Sequence, residues 1–240
     1  MIYNDIKIQN MKKHLIILTL IGSQLAFSQI TSNTGAANMS DGLSLRQTDI
    51  KGSPFFIDDW RMGSVINIDG SFKDQKELIY NLFSNNLFLK IGEGAKDYMS
   101  LEYKTIAGFI LYSADKTQSF VFTKISGNMF EDSKDDEKFY EQASQQSKKV
   151  IVEHLKIFKD PNASGWTSSR YNNKGGEFND ISKVYVLAKD GIYYNISVKE
   201  KSLLSLFKDK KDELEDFIKN KNIKIKDAID LVPIVEFYHQ

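Results

Sequence analysis

Val184-Tyr185-Val186-Leu187-Ala188-Lys189-Asp190-Gly191-Ile192-Tyr193-Tyr194-Asn195-Ile196-Ser197-Val198 is the stretch of sequence that decides the fold. Two apolar runs flank Asp190-Gly191, a pair of residues that accepts the positive φ values of a two-residue hairpin turn. In the second run, Ile192, Tyr194, Ile196 and Val198 alternate with the remaining side chains, as in a half-buried strand. The stretch therefore predicts two antiparallel strands joined by a tight turn.

Two more turns of this kind occur earlier in the chain. Asp69-Gly70 follows the apolar run at residues 64–68, and Asn85-Asn86 separates residues 78–83 from residues 87–91. Further strands are predicted at residues 98–103, 108–113, 119–125, 139–143 and 149–158. Short runs joined by tight turns favour an antiparallel meander, because parallel strands need long crossover connections.

From Ser202 onward the hydrophobic period becomes helical. Leu203, Leu204 and Phe207 form one apolar turn. Asp209 is then predicted to cap a helix over residues 210–221. The buried face of that helix consists of Leu214, Phe217 and Ile218.

The end of the chain predicts a second helix. Asn222 suits the left-handed position that ends the first helix, and residues 226–238 form the next one. This helix is expected to bury Ala228, Ile229 and Val232, and Pro233 should kink or restart it. The fold class is therefore α+β, a mostly antiparallel β-meander that forms a curved sheet or partial barrel covered by C-terminal helices.

Residues 11–28 have the order basic, apolar and small that marks a cleavable secretory signal peptide. Met11-Lys12-Lys13-His14 precedes the apolar residues 15–22, and Ala26 and Ser28 have the spacing that a signal peptidase reads. We expect cleavage after Ser28, which leaves Gln29 at the mature N-terminus. Residues 1–10 lack this order and are expected to be a non-native or misannotated extension.

The signal peptide sets the rest of the domain organisation. Residues 29–53 are rich in Thr, Ser, Asn and Gly and are predicted to be a flexible leader. Residues 54–240 form a single β-rich domain whose helical tail is residues 202–240. A membrane span needs about 20 apolar residues, and the later sequence has no such run, so no transmembrane span is expected after cleavage.

Composition excludes several classes of protein. The chain has no cysteine, so a cysteine-linked lipid anchor, disulfides and thiolate metal sites are excluded. The full chain has 32 basic and 32 acidic residues. Removal of residues 1–28 leaves 29 basic and 31 acidic residues. This near-neutral balance gives no electrostatic reason to expect nucleic acid or an anionic membrane as a partner.

Three stretches of the sequence resemble those of a known protein family. The first is Gly52-Ser53-Pro54-Phe55-Phe56-Ile57-Asp58-Asp59-Trp60-Arg61-Met62-Gly63-Ser64-Val65. The second is Lys201-Ser202-Leu203-Leu204-Ser205-Leu206-Phe207 with the residues 210–219 that follow, and the third is the cleavage region Ala26-Phe27-Ser28-Gln29. The chain resembles a family of exported proteins of the Bacteroidota that has no assigned activity. The resemblance implies export and a β-rich body followed by helices, and it assigns no functional residue.

The strongest binding candidates lie in residues 160–180, the longest stretch without a strand pattern. The candidates are Trp166, Arg170, Tyr171, Asn172 and Asn173. Long loops of this kind are either functional or disordered, and aromatic rings beside amides suit carbohydrate or peptide recognition. The alternative is that Trp166 only anchors the loop to the core.

Other candidates have simpler structural interpretations. His154 has no ligating partner in view, and zinc sites usually need at least two histidines, so no metal site is predicted. The acidic residues 131–137 lack EF-hand spacing, and Lys134 interrupts them, so they are predicted to be a solvated loop. Phe55, Phe56 and Trp60 are predicted to lie in the core.

The sequence contains no hydrolase elbow, phosphate loop or dinucleotide motif. No cofactor is therefore expected, and no catalytic residue can be named. We expect an exported, non-enzymatic binding or structural module, periplasmic or otherwise secreted or on the cell surface, with an envelope protein or a glycan as its partner. The alternative is an envelope hydrolase with carboxylate-based catalysis, which would require a deep pocket with convergent titratable groups.

Overall fold

Ten antiparallel strands form one sheet in the computed structural model, which describes residues 50–94, 97–134, 136–160 and 176–240. These residues belong to one compact unit. The strands are β1 (Arg61–Asn67), β2 (Phe72–Asn81), β3 (Asn86–Lys90), β4 (Tyr98–Ser100), β5 (Ile106–Tyr112), β6 (Ser119–Ile125), β7 (Lys138–Ser144), β8 (Ser147–Lys159), β9 (Glu177–Leu187) and β10 (Tyr193–Ile196).

The strand order is β10-β9-β8-β7-β6-β5-β1-β2-β3-β4. Two meanders, β1–β4 and β5–β10, are joined where β5 pairs with β1. The edge strands β4 and β10 do not pair with each other, so the sheet is open. The predicted α+β class with an antiparallel sheet and C-terminal helices is confirmed.

The sheet curls strongly over one of its faces. Three strands lie between β2 and β7, and neighbouring strands are about 4.8 Å apart. The ring of Tyr80 on β2 nevertheless lies 6.1 Å from the ring of Phe139 on β7. Right-handed twist and the register shifts in β1 allow this curvature.

Both predicted Asp-Gly hairpins are confirmed, but their loops hold three residues rather than two. The Ala188 N–H donates to the Ile192 carbonyl, and the Gly191 N–H donates to the Ala188 carbonyl. Gly191 has a φ of 82° and Gly70 a φ of 79°, while the aspartates keep negative φ. This geometry is a type I turn followed by a left-handed glycine, which is the usual three-residue hairpin loop.

Two predicted boundaries were wrong. β9 begins at Glu177, so the strand-free stretch is shorter than residues 160–180. At the other end of the domain, the predicted leader runs to Ser53, but Lys51 already pairs with β9. Its N–H donates to the Gly176 carbonyl, and its carbonyl accepts from Phe178.

Three helices follow β10: α1 (Glu200–Leu206), α2 (Lys211–Asn220) and α3 (Ala228–Tyr238). Asp209 was predicted to cap α2 but lies in a 3-10 turn, and Lys210 occupies the N-cap position. Asn222 does take the left-handed position, with a φ of 50°. The Ile223 N–H then bonds the Ile218 carbonyl, as in a Schellman motif.

The predicted face of α3 was partly wrong. Ile229 is exposed, and the helix continues through Pro233 without a restart. The Asp230 carboxylate accepts the free N–H groups of Lys226 and Asp227 at the start of the helix. The residues of α3 that are buried are Leu231, Ile234, Val235 and Tyr238.

Apolar side chains fill three clusters around the sheet. The helices pack on Val150, Val184 and Val186 of one face, with Leu203, Leu204, Phe207, Leu214 and Ile218 in the same cluster. A second cluster fills the curl of β1–β7 and contains Val65, Leu78, Tyr80, Phe109, Phe122 and Phe139. The third lies on the opposite face of β7–β10 and contains Ile125, Phe130, Tyr140, Ile151, Tyr185 and Tyr193.

Phe55, Phe56 and Trp60 were predicted to lie in the core but are half-buried. Residues 54–56 cross the end of β2, where the Phe56 N–H donates to the Tyr80 carbonyl. The Phe56 ring then packs 5.1 Å from that of Phe122. This segment, the N-terminal strap, fixes the turn that follows β2.

Candidate functional site

The binding residues that the sequence predicts are not in the described part of the chain. Trp166, Arg170, Tyr171, Asn172 and Asn173 lie outside the described residues. The predicted cleavage site, Ser28 and Gln29, also lies outside them. A candidate site must therefore be built from the residues around the sheet.

A groove of about 580 Å³ opens between the β2–β3 turn and the start of β7. This polar groove is lined by Tyr80, residues 82–86, Tyr103 and Lys104, residues 136–139 and residues 153–156. The volume is within the range of small-ligand sites. Sequence reasoning identified residues 85–86 only as a turn.

The β2–β3 turn is held rigidly at the edge of the groove. Asn85 has a φ of 57°, a conformation that asparagine tolerates better than most residues. Its side-chain oxygen accepts a hydrogen bond of 2.7 Å from the Tyr80 hydroxyl. The strap carbonyl of Pro54 accepts the N–H groups of Leu82 and Phe83. The Asn85 amide is therefore fixed before any ligand arrives.

Two hydroxyl groups beside the groove are buried. They are Ser84 Oγ and Tyr103 Oη, and Ser84 Oγ has no hydrogen-bond partner among the described residues. Burial raises the pKa of Tyr103 to about 12, and hydrogen bonding with the Asn85 side chain opposes that shift. An unsatisfied buried polar group costs about 1–3 kcal/mol. Both oxygens are closed off from solvent, so a molecule in the open groove does not touch them while the turn keeps its position.

The charges of the groove balance. Three lysines line it, Lys104, Lys138 and Lys156, as do three carboxylates, Asp136, Glu137 and Glu153. Most are engaged in ion pairs: Lys156 with Asp180 at 2.6 Å, Lys138 with Glu153 at 3.8 Å, and Glu137 with Lys124 at 3.6 Å. The groove therefore presents hydroxyl, amide and aromatic groups with no excess of either charge.

A second concavity, of about 630 Å³, lies between α1 and α2. Leu204 lies among its lining residues, and Lys211 and Glu215 there pair with each other at 3.4 Å. None of its lining residues carries an unpartnered buried polar atom. The polar groove is the stronger candidate.

His154 has partners that the sequence did not reveal, because they lie on neighbouring strands. Its Nδ1 lies 3.2 Å from Ser182 Oγ on β9, and its Nε2 lies 2.5 Å from Glu141 Oε2 on β7. A serine, a histidine and a carboxylate in a chain are the parts of a nucleophilic triad. However, Lys156, two residues further along the same face, is bound to Asp180 and is not free to stabilise an oxyanion.

The opposite face of β8 buries an ion pair. Lys134 Nζ lies 2.9 Å from Glu153 Oε2 and 2.8 Å from the Tyr185 hydroxyl. The same ammonium lies 4.3 Å from the ring centre of Phe130 and 4.2 Å from that of Tyr185, within cation–π range. The acidic run was predicted to be a solvated loop, but its lysine is therefore part of the interior.

The buried carboxylate Glu153 is held in its charged form by its partners. Burial pushes the pKa of Glu153 upward, but hydrogen bonds and charge from Lys134, Tyr185 and Lys138 outweigh burial and hold it below its usual value. Every described carboxyl group with a shifted pKa is shifted downward, namely Asp69, Asp115, Glu153, Asp230 and Glu236. A general acid needs the opposite shift.

The described residues contain no group of three or more side chains that could hold a metal ion. No helix among them is long and apolar enough to cross a membrane. No family model, curated protein or solved structure matches the chain.

Proposed function

We propose that the chain is an exported, non-enzymatic binding module of the cell envelope, with the polar groove as its binding surface. The observation that carries this proposal is an open groove in which an exposed aromatic ring, Phe83, lies beside polar side chains of balanced charge. Aromatic rings that reach solvent beside polar groups suit recognition.

The state of the interior supports a binding role over catalysis. Three apolar clusters fill the space around the sheet, and the buried carboxylate Glu153 is held by Lys134 and Tyr185. The groove is open and its titratable groups are mostly paired. An open polar surface on a well-packed sheet suits recognition.

Export is tested by the mass of the protein recovered from its native host. The order basic, apolar and small in residues 11–28 predicts a mature chain that begins at Gln29. A soluble cytoplasmic species that retains residues 11–28 would contradict the export proposal.

Binding is tested by sedimentation of the chain from Gln29 onward with isolated envelope fragments of the host. The wild type should sediment with the fragments, and the variant Phe83→Ala should remain in the supernatant. Phe72→Ala is the matched control, because its ring is also exposed but does not line the groove. Equal sedimentation of Phe83→Ala and the wild type would exclude the groove as the binding surface.

A serine hydrolase is the second candidate, and the Ser182–His154–Glu141 chain is the observation that favours it. A fluorophosphonate reagent labels an activated serine but not an ordinary one. Under the binding proposal, the wild type and Ser182→Ala should both stay unlabelled. Stoichiometric labelling that Ser182→Ala abolishes would establish the hydrolase instead.

A further inference from the structure

We propose that the ligand of the polar groove is an extended peptide segment, which binds as an added strand along the free edge of β8. This inference rests on the proposed binding function and names the chemical class of the ligand. It depends on three features of β8: an edge without a neighbouring strand, the direction of its backbone groups, and the side chains beside that edge.

β8 loses its neighbour on one side where it reaches the groove. β9 pairs with β8 over residues 150–159. β7 pairs with β8 only as far as Val152, and residues 153–156 line the groove. In the described part of the chain, the end of β8 therefore has a neighbouring strand on one side only.

The hydrogen bond of one residue on β9 gives the direction of the free backbone groups. Phe178 lies opposite Phe158, and its N–H donates to the Lys51 carbonyl on the side of β9 away from β8. Opposite residues of an antiparallel pair either bond each other or both point outward. Phe158 therefore points its N–H and C=O away from β9, and Lys156, two residues earlier, does the same. These groups are the ones that an extended peptide would bond.

Apolar side chains lie beside the free edge on one face of β8. Leu155 and Ile157 alternate with the residues whose backbone points outward, so they share a face. Leu155 lies opposite Ile181 of β9, and Ile157 and Ile181 are 43% and 40% exposed. A strand added to β8 would place every second side chain next to Leu155 and Ile157. The favoured ligand therefore has apolar residues at alternate positions.

Aromatic rings reach the same end of β8 from its other face. The Phe158 ring lies 4.9 Å from that of Phe178, which lies 5.5 Å from that of Phe83. Phe83 also lines the groove. The exposed ring of the groove is thus next to the free edge, where it can contact the peptide side chains that point to this face.

The charges that remain in the groove suit a peptide better than a simple ion. Lys104 and Asp136 line the groove and form no ion pair among the described residues, whereas Lys156 is held by Asp180. A small anion or cation would satisfy only one of the two unpaired groups. A peptide can offer side chains of both signs, and its backbone is neutral.

The test is calorimetric titration of the mature chain with the synthetic peptide acetyl-Thr-Val-Lys-Val-Glu-Val-Thr-amide, in which valine alternates with polar residues. The control is an isomer of the same composition with its valines consecutive. We expect saturable binding of the alternating peptide and about 5-fold weaker binding of the isomer, because two cross-strand apolar pairs are lost. Equal binding of the two peptides would overturn the inference. So would binding of the neutral sugar chitotetraose in place of the alternating peptide.

Lys156→Pro tests the backbone edge directly. Proline removes an N–H that points away from β9, so the β8–β9 ladder keeps its hydrogen bonds. Lys156→Val is the matched control, because it loses the same side chain and its pair with Asp180 but keeps the N–H. The proline variant should bind the alternating peptide about 3- to 10-fold more weakly than the valine variant, the value of one backbone hydrogen bond. Equal affinities would exclude strand addition.

A second variant covers the case in which Lys156→Pro does not fold, as judged by its thermal unfolding. Ile157→Lys changes an exposed side chain and should weaken binding of the alternating peptide by about 3-fold or more, because an apolar contact is lost. Ile229→Lys makes the same change at an exposed position of α3 that does not line the groove, and it should bind like the wild type. Wild-type affinity in Ile157→Lys would overturn the inference.

The inference and the proposed function fail in distinguishable ways. If the wild type sediments with envelope fragments, Phe83→Ala does not, and the alternating peptide does not bind, the peptide class is wrong and the binding function stands. Self-association of the wild type that Lys156→Pro abolishes would assign the edge to a second copy of the chain and overturn the inference. If the wild type does not sediment and no peptide binds, both are wrong.

Discussion

The two faces of β8 and β9 are covered in different ways. On one face, the helix cover (α1–α3) packs apolar side chains against Val150, Val184 and Val186. On the other face, the loop cover (residues 126–134) places Phe130 and Lys134 over Tyr140, Ile151 and Tyr185. The helix cover depends on many interchangeable apolar contacts, whereas the loop cover depends on a buried charge with specific partners.

β10 contributes to both covers. Tyr193 belongs to the cluster under the loop cover, and Ile196 belongs to the cluster under the helices. The loop is also joined to β10 by its backbone, since the Glu131 N–H donates to the Tyr193 carbonyl. Substitutions in each cover, and in the hairpin that holds β10, therefore test whether the two covers differ in the way described.

The largest effect is expected from Phe207→Ala in the helix cover. The Phe207 ring is 1% exposed and stacks on Tyr238 at 3.8 Å. Its removal should lower the free energy of unfolding by about 3–5 kcal/mol. Phe217, predicted from its helical spacing to be buried, is only half-buried against Phe237. Phe217→Ala should cost about half as much in the same chemical denaturation. Equal losses would show that the two rings contribute equally to the buried face of the helices.

The next largest effect is expected from the ion pair of the loop cover. Lys134→Met leaves the Glu153 carboxylate, 5% exposed, without its main partner. Loss of one member of a buried pair should lower the free energy of unfolding by about 3 kcal/mol. The double variant Lys134→Met/Glu153→Leu should lose less than the sum of the single losses, because no charge is left unpaired. Additive losses would show that the two side chains do not interact.

The helix cover was largely predictable from the sequence, and the loop cover was not. Leu203, Leu204, Leu214 and Ile218 have helical spacing, and the structure buries all four. Asp209 was misassigned as a cap because capping depends on where the first turn begins, which spacing does not determine.

Lys134 illustrates what sequence reasoning lacked. A lysine among acidic residues is the usual pattern of a solvated loop, and its partners Glu153 and Tyr185 lie 19 and 51 residues away. The groove was missed for the same reason, because the β2–β3 turn and residues 153–156 meet only when the sheet curls. One signal was available in the sequence. Glu153 follows the apolar Ile151 by two residues, so both lie on the same face of the strand, and this predicts a buried carboxylate that needs a partner.

A smaller effect is expected at the β9–β10 hairpin. Gly191 has a φ of 82° and open space around it, so a side chain there is strained by the backbone alone. Gly191→Val should cost about 1–3 kcal/mol. Gly70→Val is the matched control, with a φ of 79° and equally open surroundings at the β1–β2 hairpin. A larger loss at Gly191 than at Gly70 in thermal unfolding would show that β10 couples the two covers. Equal losses would show that the cost is local strain.

The smallest effect is expected from pH, and it distinguishes the covers by their carboxylates. Glu153 under the loop cover and Glu236 on α3 both have lowered pKa values. Burial raises the pKa of Glu153, but the hydrogen bond and charge of Lys134 lower it by more. Hydrogen bonds from Lys149 and Ser147 lower the pKa of Glu236. A carboxylate with a lowered pKa adds stability above its unfolded pKa, about 4.3. That contribution is lost as the pH falls towards the lower pKa of the folded state.

We therefore expect the melting temperature of the wild type to fall steeply as the pH falls below about 5, because protonation of these two carboxylates removes their contribution to stability. Glu153→Gln should flatten that fall more than Glu236→Gln, because the Glu153 side chain is 5% exposed and that of Glu236 is 36% exposed. Water and salt screen the more exposed pair, so its charge contributes less to stability. At neutral pH, Glu153→Gln should also be the less stable of the two variants. Glu236→Gln could instead flatten the pH dependence of the melting temperature as much as Glu153→Gln, or more. That result would assign the acid sensitivity to the helix cover and would show that the loop cover does not depend on its buried charge.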